Sequence, residues 1–186
     1  MARIKTIPYA ESDGRLKKIY DDLIAKRGKL ANVHTIQSLR PGSIVHHMDL
    51  YLEIMFSRSE LSRAEREMMA VVVSVANGCE YCRQHHAEAL NHYWKDQNSL
   101  DALIADTEFS TLDKRKRILC RFARQLTLQP GSFDKHDMTH EIRDAGFSDA
   151  GILDATLVVS YFNFVNRIVL ALDVESTKSE VAGYNF

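Results

Sequence analysis

The chain has 186 residues, 45% of them hydrophobic and 26% charged, with 24 Lys plus Arg against 25 Asp plus Glu and a formal net charge of -1. This is the composition of a globular protein with one sizeable core, and the charge balance argues against the basic face of a nucleic-acid binder or an anionic-membrane patch. At this length roughly 70% of the unfolded surface is buried on folding without disulfide staples, and three Cys do not make a secreted disulfide framework. No run is expected to reach the ~20 apolar residues of a membrane span. Residues 1–11 lack the apolar stretch of a cleaved leader, so the expected location is the cytoplasm.

Eight Gly and three Pro are too few turn residues for a sandwich or barrel, and long unbroken amphipathic runs point to an all-α chain of about eight helices. The first is predicted over residues 14–26, followed by a short segment at 33–39. A helix over 42–56 starts behind Pro41. Ser62 with Glu65 three residues on has the capping-box spacing and opens a helix that runs to Asn77 and stops at Gly78. Helices over 80–94, 100–105, 113–126, 134–145 and 149–172 complete the prediction. The β-branched runs at 71–75 and 157–159 have strand propensity, but each sits in an unbroken stretch too long for a common strand of ~5–6 residues and is read as buried helix. Leu61-Ser62-Arg63-Ala64 echoes Phe147-Ser148-Asp149-Ala150, and the same register sets Asn77 opposite Asn163. A duplicated helical hairpin and chance similarity both explain this echo. Nothing resembling a linker divides the chain, so residues 1–186 are read as one domain with a motif-bearing core at about 42–126.

Chemistry concentrates around Cys79-Glu80-Tyr81-Cys82-Arg83-Gln84-His85-His86. Steps of three and four place Cys79, Cys82 and His86 on one helical face. The Asn77-Gly78 break sets Cys79 at a helix N-terminus, where the macrodipole and unpaired N–H groups favour a thiolate. His86, one turn from Cys82, is in reach to act as its base. Glu67, alone in the apolar run before the break, is placed to orient His86 as the third member of a relay. A second thiol captures a sulfenic acid as a disulfide before over-oxidation.

Glu67, eleven intervening residues, Cys79-x-x-Cys82, three more and His86 resemble the motif of the alkylhydroperoxidase D family, within the carboxymuconolactone decarboxylase-like superfamily. The run from Tyr161 to Arg167 is similar to its peroxidase-related branch. The resemblance implies an all-α fold of repeated helical hairpins, a homo-oligomer (dimer, trimer or hexamer) and thiol-dependent reduction of a hydroperoxide, with electrons from an external thiol or dithiol. It implies Cys82 as the peroxidatic residue, Cys79 as proton donor and resolving partner, and Glu67 with His86 as the relay. The best-studied form has a His where this chain has Tyr81, a poor base with an ordinary pKa near ~10. The dipole favours Cys79 as the more acidic thiol and proximity to His86 favours Cys82.

Other readings stand beside this one. The two Cys could be buried hydrophobes, Glu67 could reach solvent, and Cys79, Cys82, His86 and Glu67 together are a conceivable zinc set in a non-catalytic scaffold. A general disulfide oxidoreductase is the alternative within the same chemistry. No glycine-rich nucleotide fingerprint appears, so no bound cofactor is expected. His85, about 100° around the helix from His86, is expected at the surface or a subunit contact. His46 and His47 either wall the thiol site or face a partner. His136 and His140 are read as solvated, Cys120 as inert core and the basic run 114–117 as a solvated face. Asn163, Asn166 and Arg167 are candidates to line a substrate pocket.

Overall fold

Ser62 caps the central helix as its spacing predicts: its side chain accepts from the Glu65 N–H while the Glu65 carboxylate accepts from the Ser62 N–H. The computed structural model describes residues 2–176 and Glu180, so the outer limits of the expected 1–186 domain fall outside the described residues. Among the described residues there are nine α-helices and no strand: α1 Gly14–Arg27, α2 Asn32–Thr35, α3 Pro41–Phe56, α4 Arg63–Ala76, α5 Glu80–Trp94, α6 Gln97–Ala105, α7 Lys114–Leu128, α8 Thr139–Asp144 and α9 Asp149–Leu172. Short 3-10 turns lie at Tyr9–Glu11 and Pro130–Asp134.

The order of packing follows from burial. α4 is buried on every side from Glu65 to Ser74, with α5, α7 and α9 against it. That environment overrides the strand propensity of Val71, Val72 and Val73, since each buried apolar side chain contributes roughly 1.5–3 kcal/mol against a propensity difference below ~1 kcal/mol. α1 and α3 form a second apolar cluster around Tyr20 and Ile44. Gly78 (φ +66°) takes the left-handed conformation that ends α4, and Cys79 becomes the N-cap of α5.

Two expectations need correction. The helix foreseen over 134–145 is only α8, because Pro130 starts a 3-10 turn and the Asp137 carboxylate accepts the Thr139 N–H at 2.8 Å in a local turn. α9, at 24 residues, does meet the length and hydropathy of a membrane span. Here its apolar residues, among them Ile152, Val158, Val159 and Phe162, are core packing.

The loop between α3 and α4 is tied down by one buried cation. Arg66, 4% exposed, donates to the carbonyls of Leu61 (3.1 Å), Ile54 (3.1 Å) and Ser57 (2.8 Å). Arg66→Ala strands these acceptors and is expected to cost about 3 kcal/mol, measured as a lower urea midpoint. A change within about 0.5 kcal/mol would show that the loop is held otherwise.

Candidate functional site

Glu67 is 0% exposed in the middle of α4, and two cations or potential cations reach it. Arg63, one turn earlier, brings a guanidinium nitrogen to 2.6 Å from Oε1, and His86 Nδ1 lies 2.7 Å from Oε2. An ionised carboxylate only accepts, so Nδ1 carries the proton and Nε2 is the basic nitrogen of His86. Arg63 is held in turn by the Met55 carbonyl (2.9 Å), the Tyr51 hydroxyl (3.2 Å) and the face of Phe56, 3.9 Å from its centroid. The predicted Glu67–His86 pair is therefore formed, and Arg63 is an addition that sequence reading missed, although its i, i+4 spacing to Glu67 was a visible signal.

Cys79 and Cys82 are both free and buried, and their side chains hydrogen-bond to each other. The Cys82 thiol and backbone N–H both point to the Cys79 sulfur, which holds the Cys79 thiol below its ordinary range against the opposing effect of burial. Donating to Cys79, then burial, push the Cys82 thiol well up. Of the two thiols Cys79 is therefore the more acidic at rest, first because it accepts from the Cys82 thiol and only then because it accepts a backbone N–H at the start of α5. Asn166, fully buried on α9, hydrogen-bonds the Cys82 side chain. Its amide is oriented by Asn77, whose Nδ2 donates to Oδ1 at 3.0 Å and also to Asn163 Oδ1 at 3.0 Å. The register echo thus corresponds to a real contact. Asn166 meets the buried sulfur, while Arg167 is exposed and bonded to Asn163, so neither lines a substrate pocket as foreseen.

Cys82 and His86 face a cavity of about 90 Å³ whose wall includes His34, His47, Tyr51, Tyr161, Phe162 and Arg27; Cys79 is not part of that wall. Of the pair 46–47, His47 is buried at the cavity and His46 is exposed. His85 is not a surface residue: its ring stacks on Tyr81 (centroids 4.2 Å) and joins the wall. The Tyr81 hydroxyl is engaged elsewhere, donating to Glu180 and accepting from the Val33 N–H at 3.2 Å. Burial drives the imidazoles to their neutral forms, His34 to about 3, His47 to about 4 and His85 to about 4. It also raises the phenols of Tyr51 and Tyr161. Elsewhere, His136 and His140 are exposed, and burial raises the thiol of Cys120 in the core. The basic run 114–117 is not wholly solvated, because Arg115 pairs with Glu65 at 2.7 Å and lies over Phe147. Among the described residues no group of three or more His, Cys, Asp or Glu is arranged to hold a metal ion.

The helical fold thus buries two neighbouring thiols beside a carboxylate-backed imidazole. Residues 44–125 match the carboxymuconolactone decarboxylase family. The fold is similar to an alkylhydroperoxidase D core, a peroxidase-related protein from Ralstonia eutropha JMP134 (21% identity, TM-score 0.85, covering 97% of this chain and 94% of that one). It is also similar to a peroxidase-related protein from Silicibacter sp. TM1040 (26%, 0.82, 98% of each). A third similar structure is the debrominase Bmp8, solved as a cysteine-to-alanine variant with 2,3,4-tribromopyrrole (17%, 0.79, 98% and 97%). The chain thus has the all-α fold of these alkylhydroperoxidase D-like structures, and its residues 44–125 are similar to the carboxymuconolactone decarboxylase family.

The neutral histidines make a test of the site's burial. Unfolded, each takes up a proton near pH ~6.5. Folded, His34, His47 and His85 do so only near 3, 4 and 4. Between those limits the unfolded chain binds more protons, so their contribution is fully present above pH ~6.5 and is lost as pH falls towards 4. Each contributes up to about 1.4 kcal/mol per pH unit in that window. Urea midpoints at pH 7, 6 and 5 should fall steeply, and His47→Gln should remove about one proton from the uptake. An unchanged slope in that variant would mean that His47 is not held neutral.

Proposed function

We propose that the protein is a thiol-dependent peroxidase-like oxidoreductase that reduces hydroperoxides with its Cys79–Cys82 dithiol. The observation that carries the reading is the buried pair itself, with Cys82 at a cavity, Cys79 behind it and the Glu67–His86 couple alongside. The family match over residues 44–125 and the fold shared with peroxidase-related structures support a peroxidase-related role.

The chemistry follows from the proton positions. At rest the lower-pKa sulfur is Cys79, which does not line the cavity. Passing the shared proton from Cys82 to Cys79 moves the negative charge to the sulfur that can meet a substrate, where the Asn166 hydrogen bond favours it. The Cys82 thiolate attacks one oxygen of ROOH, the O–O bond breaks, and Cys82 becomes a sulfenic acid. The departing alkoxide takes a proton delivered through His86 and leaves as ROH. Cys79 then attacks the Cys82 sulfur, forming the disulfide and releasing water once the hydroxide is protonated. In balance, ROOH and two thiols give ROH, water and one disulfide. An external thiol or dithiol restores the dithiol. Without that peroxide preference the same pair would serve as a general disulfide oxidoreductase.

A second reading has its own support. The cavity walls are largely aromatic, and the debrominase of the same fold is recorded with a brominated pyrrole. An aryl bromide and the dithiol would give the arene, bromide, a proton and the disulfide, the same two electrons leaving the sulfurs.

The reading also takes the protein as cytoplasmic and homo-oligomeric. Exposed Leu153, Leu157 and Phe164 on α9, with Leu50 and Phe56 on α3, support burial against further copies.

Mass spectrometry after one equivalent of cumene hydroperoxide should show loss of two thiols and a Cys79–Cys82 linkage. Cys82→Ser and Cys79→Ser should both abolish multiple turnover, His86→Ala should lower kcat by about 10²-fold, and Glu67→Gln should act in the same direction. Wild-type turnover in Cys82→Ser would refute the peroxidase. Turnover of 2,3,4-tribromopyrrole with inert thiols towards peroxide would select the second reading.

A further inference from the structure

The cavity that Cys82 faces has a polar element for which the thiol chemistry has no use. His34 on α2 is 7% exposed and lines the cavity, and its Nδ1 is buried without a hydrogen-bond partner, so that an occupant meets this atom once the ring turns towards it. A buried polar atom left unpaired costs about 1–3 kcal/mol, so an occupant that pairs with it gains that much before any apolar contact. His47 on α3 stands beside it, ring centroids 5.9 Å apart.

The tautomer of His47 is determined by a third residue. Gln37 Nε2 lies 2.8 Å from the Val33 carbonyl and 2.8 Å from His47 Nδ1. The carbonyl requires the amide nitrogen there, and the second amide hydrogen then faces His47, so Nδ1 accepts and the ring proton sits on Nε2. Burial keeps His34 neutral, with His47 and Arg27 adding to the effect, and burial does the same for His47. The pair therefore offers one donor and one ring nitrogen of either sense, without charge. A hydroxyl group, which donates one hydrogen bond and accepts others, matches it; an ammonium finds no counter-charge.

The rest of the cavity fixes the body of the occupant. From His47 the rings continue through Tyr161 (5.7 Å) and Phe162 (5.0 Å) to His86 (4.4 Å), with Tyr51 5.9 Å from Tyr161. The polar pair thus lies at one end of an aromatic wall and the relay at the other. The volume, about 90 Å³, is below the ~150 Å³ that admits benzene, so only a compact occupant fits and the walls must give slightly around a ring.

We infer that this cavity is a specificity pocket for a compact, uncharged, hydroxyl-bearing organic molecule, with the hydroxyl held by His34 and His47 and the hydrocarbon against Tyr51, Tyr161 and Phe162. Calling that molecule the substrate, a hydroxylated hydroperoxide, rests on the peroxidase reading; its binding does not.

Calorimetric titration of the full-length dithiol protein with phenol, toluene and benzoate tests the pocket without turnover. Phenol should bind at least about ten-fold tighter than toluene, because the pocket's unpaired nitrogen is satisfied only by the hydroxyl. The preference should fall below about three-fold in His34→Leu and partly return in His34→Gln. Gln37→Met, which frees the His47 tautomer, should weaken it too and covers the case in which His34→Leu does not fold. Equal affinity for phenol and toluene, a preference that survives both variants, or no binding of either overturns the inference. Tighter binding of benzoate than phenol also overturns it, in favour of an anion site on Arg27. An intact phenol preference in a protein whose thiols ignore peroxide would leave the pocket standing and remove the peroxidase.

Discussion

A fully buried carboxylate in the middle of an otherwise apolar helix is the constraint on which the rest of the site depends. Taking Glu67 out of water costs several kcal/mol unless the charge is matched, and here it is matched twice, by Arg63 at 2.6 Å and by His86 at 2.7 Å. The His86 contact ties α5 to α4, and the Arg63 contact lies within α4. They also reach α3, because Arg63 is itself held by the Met55 carbonyl and the Tyr51 hydroxyl. One polar chain therefore runs across three helices, and the orientation of His86 is set by the packing of α5 against α4.

The second constraint is that, Arg27 apart, the titratable side chains around the cavity that Cys82 faces are held uncharged. Burial keeps His34, His47 and His85 unprotonated and Tyr51 and Tyr161 protonated. A thiolate formed there meets few competing charges, and the local dielectric is low, so the hydrogen bonds from Asn166 and from the partner thiol count for more than they would in water. The same environment suits an uncharged peroxide, whose leaving group needs one proton rather than a counter-ion.

What was legible in the sequence is what lies close along it. Cys79, Cys82 and His86 share a helix, Glu67 stands one break upstream, and α5 and α9 have the limits their caps and apolar runs predict. The cavity was not legible in the same way. His34, Tyr51 and Tyr161 come from three helices, and no spacing relates them to the cysteines; of the wall residues His47 was a candidate from the sequence. His85 defeated a sound rule: a residue 100° from the catalytic face is usually wet, but the wall formed by Tyr81 and Ala31 wraps further around α5 than one face. The basic run and Arg167 were misread in opposite senses for one reason, since only the fold tells which long cation finds a carboxylate and which stays at the surface.

The echo between the two longest apolar stretches shows how little separates a site from a strut. Asn77 and Asn163 lie 86 residues apart and meet across α4 and α9. In that same register Leu153 answers Glu67, Val165 answers Cys79, Ile168 answers Cys82 and Leu172 answers His86. The second stretch carries none of the chemistry. It also lacks the break: where Gly78 turns the chain at φ +66°, the corresponding position is Phe164, and α9 continues without interruption to Leu172. A left-handed turn is cheap for Gly and costs a bulky residue about 1–2 kcal/mol. That turn creates the new N-terminus at which Cys79 sits and re-aims the following helix so that His86 returns to Glu67. The unbroken second stretch, lacking it, supplies part of the wall and the Asn166 amide that meets Cys82 from the other side.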